Sequence, residues 1–240
     1  MSTNIFLDDF MNQNKMSQEH KKFVRLSENI LDINPIPIYI KSNFKEVEEF
    51  NTEFNILIQD LTREQIYVEE NQDPSKDFGI FTSKNAYVPG NNFLQMNNMY
   101  VDKIRQYILD GINEMISVVY NHQGDFRYTI TNSWIQKYKQ GNFLSPHNHI
   151  ASAHSDFHKV FSVAYYIDDG DPDVSQTYSG CITFVHQNQL VHIRPTSGTL
   201  LIWEDYLIHL VNPFFSQSNK ERFMLSANID VELLPVLATK

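Results

Sequence analysis

Two histidines stand one residue apart in "YKQGNFLSPHNHI", Tyr138 to Ile150, and imidazoles at that spacing can share a metal ion. In an extended strand, residues i and i+2 point to one face with Cα atoms about 6.6–7 Å apart. His147 and His149 can therefore converge on one ion if this stretch is extended. Two ligands rarely close a site, so a third is expected from a neighbouring strand. His209, in "YLIHLVNP", is the best candidate, because it lies on a late apolar run where an imidazole needs a reason. Taken singly, each histidine reads as a hydrogen-bonded core residue. An H-x-H pair together with a late strand histidine in a β-rich chain favours a metal site.

A second group follows. Arg222, Met224 and Ser226 alternate onto one face of the strand "ERFMLSANI". A guanidinium on an inward face is costly to bury without an anionic partner. No acid stands at strand spacing, so the anion of choice is a carboxylate ligand. The competing reading pairs Arg222 with Glu204 or Asp205 on the surface.

Other candidates carry less. "DDGDPD" puts Asp169, Asp171 and Asp173 at the first, third and fifth places of a calcium loop, but the sixth place lacks glycine and Gly180 stands where a bidentate Glu belongs. It reads as a solvated hairpin loop. Cys181 reads as inert core, and His186 and His192 are assigned no role.

These residues need elements to hold them. From about residue 126 the chain breaks into short β-branched or aromatic runs: "FRYTITNSWIQKY", "VFSVAYYI", "GCITFVH", "QLVHIRP", "GTLLIWE", "LIHLVNPF" and "RFMLSANIDVEL". Gly, Pro, Asp or Asn separate them, which predicts a β-sandwich or barrel. Upstream, Asn43 and Glu46 have capping-box spacing ahead of Phe50, Phe54, Leu57 and Leu61, predicting a helix near 44–62. A second helix is predicted over 96–120, from the stripe Val101, Ile104, Ile108, Ile112, Met115 and Val119. Both stripes read as packing faces. "NPIPIYI", Asn34 to Ile40, alternates between prolines and fits an edge strand. The turn-rich stretch between the helices is expected to cross the surface. Helices first and strands after give an α+β layout, with the helices buttressing a sheet. Residues 1–33 read as a helical or partly mobile arm that could serve an assembly contact, and 34–240 as a single domain.

Composition narrows the class. The chain has 240 residues and a formal net charge of −10, which disfavours broad attraction to nucleic-acid phosphates. Its single cysteine, Cys181, excludes an internal disulfide and suits a reducing cytoplasm. No secretory leader pattern opens it and no apolar run approaches the length of a bilayer span, so no membrane role is expected.

The order and spacing of these pieces resemble the iron(II)/2-oxoglutarate dioxygenases. "YKQGNFLSPHNH" is similar to the prolyl-4-hydroxylase pattern of Tyr, two residues, Gly, then Pro-His-x-Asp. A nearer resemblance is to a group of oxygenase-like proteins common in phages and marine bacteria, which shares the H-x-H. Here its pattern reads Trp134, Gly141, His147, His149, then "SVAYYI", "PTSGTLLIWEDYLIHLVNP" and "RFMLSANI", spanning roughly 35–232.

The resemblance implies a double-stranded β-helix, or jelly roll, buttressed by N-terminal helices. It implies Fe(II) on His147 and His209, 2-oxoglutarate as cosubstrate, and Arg222 on the distal carboxylate, assisted by Ser226 or Tyr138. It implies hydroxylation of a small molecule or a protein side chain, with 2-oxoglutarate decarboxylated to succinate. Two departures bear on this. His149 fills the position where the usual triad has a carboxylate. An insertion, "AHSDFHK", brings its own H-x-D, so His154, Asp156 and His209 form an alternative triad, and Asp156 folding back to join His147 is another. The rival functions are a three-histidine dioxygenase that uses no 2-oxoglutarate and a non-catalytic jelly-roll binding or virion protein. The expected location is the cytoplasm, or the host cytoplasm or virion for a viral chain.

Overall fold

Alternation and turn chemistry after residue 126 translate into strands almost run for run in the computed structural model. It describes residues 4–6, 24–25, 30–33, 36–42, 51–57, 67–69, 77–78, 81–83, 93–150, 158–186 and 189–235. In chain order the strands are β1 (Asn4–Phe6), β2 (Val24–Arg25), β3 (Ile30–Ile33), β4 (Ile36–Lys41), β5 (Tyr67–Glu69), β6 (Asp77–Phe78), β7 (Phe81–Ser83), β8 (Phe126–Tyr138), β9 (Phe143–His147), β10 (His158–Asp168), β11 (Ile182–His186), β12 (Gln189–Ile193), β13 (Leu200–Glu204), β14 (Ile208–Val211) and β15 (Arg222–Leu233).

They form two sheets. The larger has the order β2-β3-β4-β13-β10-β15-β8-β7-β5, and the smaller β1-β12-β11-β14-β9-β6. Only β1 against β12 pairs in parallel; every other described pairing is antiparallel. This is the jelly-roll arrangement expected from the sequence.

Two helices cover the larger sheet. Residues 51–57 are helical (α1), and α2 runs Met99–Val119. Helix α2 starts three residues later than expected because the Asn98 side chain accepts from the Tyr100 and Val101 backbone N–H groups and caps it. Its stripe of Val101, Ile104, Ile108, Ile112 and Met115 is buried as the periodicity required. Phe54 of α1 meets Phe93 edge-on, ring centroids 5.5 Å apart.

The side-chain period of two sorts each central strand between two cores. On β15, Leu225, Ala227, Ile229 and Val231 join the core beneath the helices, while Met224 faces the other way, into the core between the sheets. On β10, Phe161, Val163 and Tyr165 join the first and Ala164 and Tyr166 the second. Arg222, Ser226 and Asn228 share the parity of Met224, so they face between the sheets.

Two expectations are corrected, and the turn-rich stretch proves to contain strands. "NPIPIYI" is an interior strand: β4 pairs with β3 on one side and β13 on the other. Its proline is tolerated because pairing with β13 covers only Ile38 to Lys41, so Pro37 faces a single partner strand. The stretch between the helices contains β6 and β7, which pair with β9 and β8. The described parts of residues 1–33 are strand rather than helix, and β3 forms a hairpin ladder with β4. Ile30, Leu31 and Ile33 are apolar and mostly β-branched, which suits a pleated surface better than an amphipathic helix. Among the described residues, no helix is long and apolar enough to cross a membrane.

Candidate metal centre

His147 ends β9 and His209 lies on β14, and the two are direct register partners across that antiparallel pair. His149 lies just beyond β9, held by its backbone N–H, which donates to the Asp205 carbonyl at 2.8 Å. Each of the three offers a ring nitrogen, and these nitrogens lie within 4.8 Å of one another. Ring centroids are 4.3 Å apart for His147 and His209, 5.1 Å for His147 and His149, and 5.0 Å for His149 and His209. The structure thus brings together the trio that the H-x-H spacing and the late strand histidine implied. His154 and Asp156 lie outside the described residues.

The Nδ1 atoms are engaged behind the cluster. His147 Nδ1 lies 2.7 Å from the Ser145 carbonyl, and His209 Nδ1 2.9 Å from the Leu207 carbonyl. A carbonyl only accepts, so both rings carry their proton on Nδ1 and present an Nε2 lone pair. His149 Nδ1 lies 2.7 Å from Asn228 Oδ1 and 3.2 Å from Ser162 Oγ. With three imidazoles presented this way, the donor set suits a divalent transition metal.

Burial favours the uncharged form of His149 and His209. Desolvation lowers the His149 imidazole to about 4, against a weaker opposing effect of the Asn228 hydrogen bond, and the neighbouring His147 lowers it further. His209, 3% exposed, is pushed well below its ordinary value by desolvation and then by His147 and His149. Trp203 and Phe184 pack on His209, with centroids at 4.8 and 6.0 Å, and Trp134 on His149 at 6.1 Å.

Arg222 is fully buried in the same inter-sheet interior. It makes no surface pair with Glu204 or Asp205; instead Nε donates to the Asp169 carbonyl at 3.2 Å and Nη1 to the Gly180 carbonyl at 2.5 Å. The guanidinium lies over the rings of Phe214 and Tyr166, 4.6 and 5.6 Å from their centroids. Among the described residues its Nη2 has no hydrogen-bond partner, and neither does the fully buried Tyr166 hydroxyl. Desolvation lowers the guanidinium from its ordinary value. Among the described residues no carboxylate stands within ion-pair distance of it, and the Asp169 carboxylate, acting from farther away, offsets the desolvation only in part. Two orphaned buried donors in one interior are a donor set that an anion would satisfy.

Tyr138 pairs with Arg222 across β8 and β15, and Ser226 with Trp134. The Ser226 and Tyr138 hydroxyls both donate to Gln136 Oε1, at 3.1 and 3.4 Å. Gln136, Ser162, Asn228, Tyr166 and Phe214 were not singled out from sequence. Counting by twos from Arg222 or Tyr138 reaches Asn228 and Gln136; the others have no local signal. Gly180 was noted only as a missing calcium ligand. It sits at φ +59°, and a Cβ there would meet Arg222 Nη1 and Nη2 at 2.5 Å. Glycine is what leaves room for the guanidinium.

No family model matches the chain, and no curated protein matches it in sequence. Solved structures do. A Trichoplax adhaerens prolyl hydroxylase, in complex with a hypoxia-inducible-factor peptide fragment, is 17% identical with a TM-score of 0.54, covering 82% of this chain and 83% of that one. A viral collagen prolyl hydroxylase from Paramecium Bursaria Chlorella virus-1, in its 2-oxoglutarate complex, is 15% identical with a TM-score of 0.52, covering 80% and 95%. HygX from Streptomyces hygroscopicus, with nickel and 2-oxoglutarate bound, is 10% identical with a TM-score of 0.51, covering 80% and 82%. The chain therefore has the fold of 2-oxoglutarate oxygenases, as its motif order implied.

Proposed function

We propose that the protein is an Fe(II)- and 2-oxoglutarate-dependent oxygenase that hydroxylates a small molecule or a protein side chain. One observation carries the reading: a fully buried arginine with no carboxylate at ion-pair distance and no partner for Nη2 among the described residues shares an inter-sheet interior with three converging imidazoles. A structural arginine would be expected to meet an acid there. A ligand with a carboxylate at one end and metal-chelating oxygens at the other suits both features.

In this reading His147, His149 and His209 would hold the ion, and the keto acid end of the cosubstrate would chelate it. Iron with 2-oxoglutarate supplies O₂ activation coupled to decarboxylation of the keto acid to succinate. Arg222 would grip the distal carboxylate through Nη2, and the Tyr166 hydroxyl, likewise without a partner among the described residues, would donate to the same anion. Tyr166 and Phe214 keep water from the guanidinium and so strengthen the pair. Tyr138 and Ser226, joined through Gln136, shape the wall beside it. Three neutral ligands leave the ion one negative charge short of a two-histidine, one-carboxylate site. The dianionic cosubstrate then accounts for more of the charge balance at the centre. The fold neighbours include one captured with a peptide fragment and one captured with hygromycin B, which supports both substrate types as candidates here.

The test is anaerobic addition of Fe(II) and 2-oxoglutarate to the purified chain. A metal-to-ligand charge-transfer band that disappears in Arg222→Ala supports the oxygenase. Metal uptake without the band supports the three-histidine dioxygenase, and no metal uptake leaves the binding or virion protein.

A further inference from the structure

The three imidazoles are not held alike. His147 and His209 each engage the main-chain carbonyl two residues earlier in their own chain segment, Ser145 and Leu207. The acceptors are main-chain carbonyls, Ser145 within β9 and Leu207 in the turn before β14, so substituting the acceptor's own side chain leaves the carbonyl in place. His149 is held instead by side chains from two other strands: Asn228 of β15 and Ser162 of β10, which are direct register partners. Ser162 is fully buried, and its Oγ lies 3.3 Å from Asn228 Oδ1 as well as 3.2 Å from His149 Nδ1.

With the Asn228 carboxamide oxygen toward His149, the protons of this group have one consistent arrangement. Ser162 O–H donates to Asn228 Oδ1, so its oxygen is left to accept. Asn228 Oδ1 has two lone pairs and accepts from both Ser162 and His149. The imidazole must then donate from Nδ1, which frees Nε2. The register between β15 and β8 shifts between Asn228 and Ile229. Such an irregularity is a known way for a strand to re-aim a side chain beside a functional site.

We propose that Asn228, backed by Ser162, is the positioning residue of the third metal ligand: its carboxamide oxygen fixes the His149 tautomer and ring orientation, letting an imidazole work where a carboxylate would need no such partner. An aspartate ligand has two equivalent oxygens and no tautomer to choose. A neutral histidine at that position binds metal through Nε2 only with its proton on Nδ1, the tautomer an acceptor there favours. The opposite carboxamide orientation would aim an N–H at Nδ1, move the ring proton to Nε2 and block the metal face. This inference rests on the metal-centre reading, and its test separates the two.

Metal-free wild type is labelled with ¹⁵N-histidine, and the His149 tautomer is read from imidazole nitrogen shifts near neutral pH. Co(II) affinity is then measured by calorimetry, without 2-oxoglutarate, for wild type, Asn228→Ala, Asn228→Asp, Ser162→Ala and His209→Ala, with circular dichroism confirming each fold. The expected results are a proton on Nδ1 in wild type and a loss of about 10–100-fold in Co(II) affinity for Asn228→Ala. Asn228→Asp keeps an acceptor at the same place and should bind at least as tightly as wild type. Ser162→Ala should fall between wild type and Asn228→Ala. A wild-type proton on Nε2, unchanged Co(II) affinity in Asn228→Ala, or equal losses in Asn228→Ala and Asn228→Asp would each overturn the assignment. If wild type and His209→Ala alike take up no Co(II), the metal-centre reading itself falls, and the positioning role with it.

Discussion

His147 and His209 face each other directly across β9 and β14, in register, with ring centroids 4.3 Å apart. They are separated by 62 residues of chain, and an antiparallel ladder alone makes them neighbours. Since a register slip of one residue would turn either ring to the other face of its sheet, the pair is as well defined as the sheet itself.

That pairing makes metal uptake a stability measurement. A divalent ion at about 100 times its Kd should raise wild-type stability by about 2.7 kcal/mol. His209→Ala should lose that increment while still unfolding cooperatively. Thermal melts with and without Ni(II) check it, and an equal rise in both proteins would remove His209 from the site.

Acid should destabilise the metal-free protein. The folded-state values of His149 and His209 lie below the unfolded value of about 6.5. Between about 4 and 6.5 the unfolded chain therefore binds more protons, and stability rises with pH through that window. It is lost as pH falls from 6.5 toward 4, by a few kcal/mol in order of magnitude. Urea midpoints at pH 7 and pH 5 test the sign; a midpoint higher at pH 5 would contradict it. Metal should steepen the dependence, because protons and metal compete for the same imidazoles.

Arg222→Met separates a functional arginine from a structural one. Replacing a buried charge that lacks a carboxylate partner with an apolar chain of similar reach should change metal-free stability by no more than about 1 kcal/mol, whereas losing a true structural ion pair costs about 3–5 kcal/mol. The same variant should lose 2-oxoglutarate binding and retain Ni(II) binding. Denaturant melts and calorimetry together decide; a large stability loss would make the residue structural.

Gly180→Ala probes the cradle. Its Cβ would meet Arg222 at 2.5 Å at a φ of +59°, so the guanidinium must move. The expected cost is about 1–3 kcal/mol from overpacking and left-handed strain. Cosubstrate affinity should fall well beyond what that loss of stability explains, with metal affinity unchanged. Parallel titrations of 2-oxoglutarate and Ni(II) give the comparison.

Period and punctuation alone made the seven late runs legible as strands and α2 legible as a buried stripe. Those are local properties, set by which face a side chain occupies and where Gly, Pro, Asn or Asp interrupts. The same local logic placed His147 with His149, and put Arg222 and Ser226 on one face. It could not choose partners. Which strand lies beside β9, how far a proline-bearing strand sits from an edge, and what fills the space around Arg222 depend on register between residues far apart in sequence. The roles of Ser162, Gln136, Tyr166 and Gly180 became visible only there. Asn228 is the sharpest case: counting by twos from Arg222 puts it on the inward face, yet only the β10–β15 ladder brings it to His149, because hydrogen bonds between side chains are made by three-dimensional proximity and not by spacing.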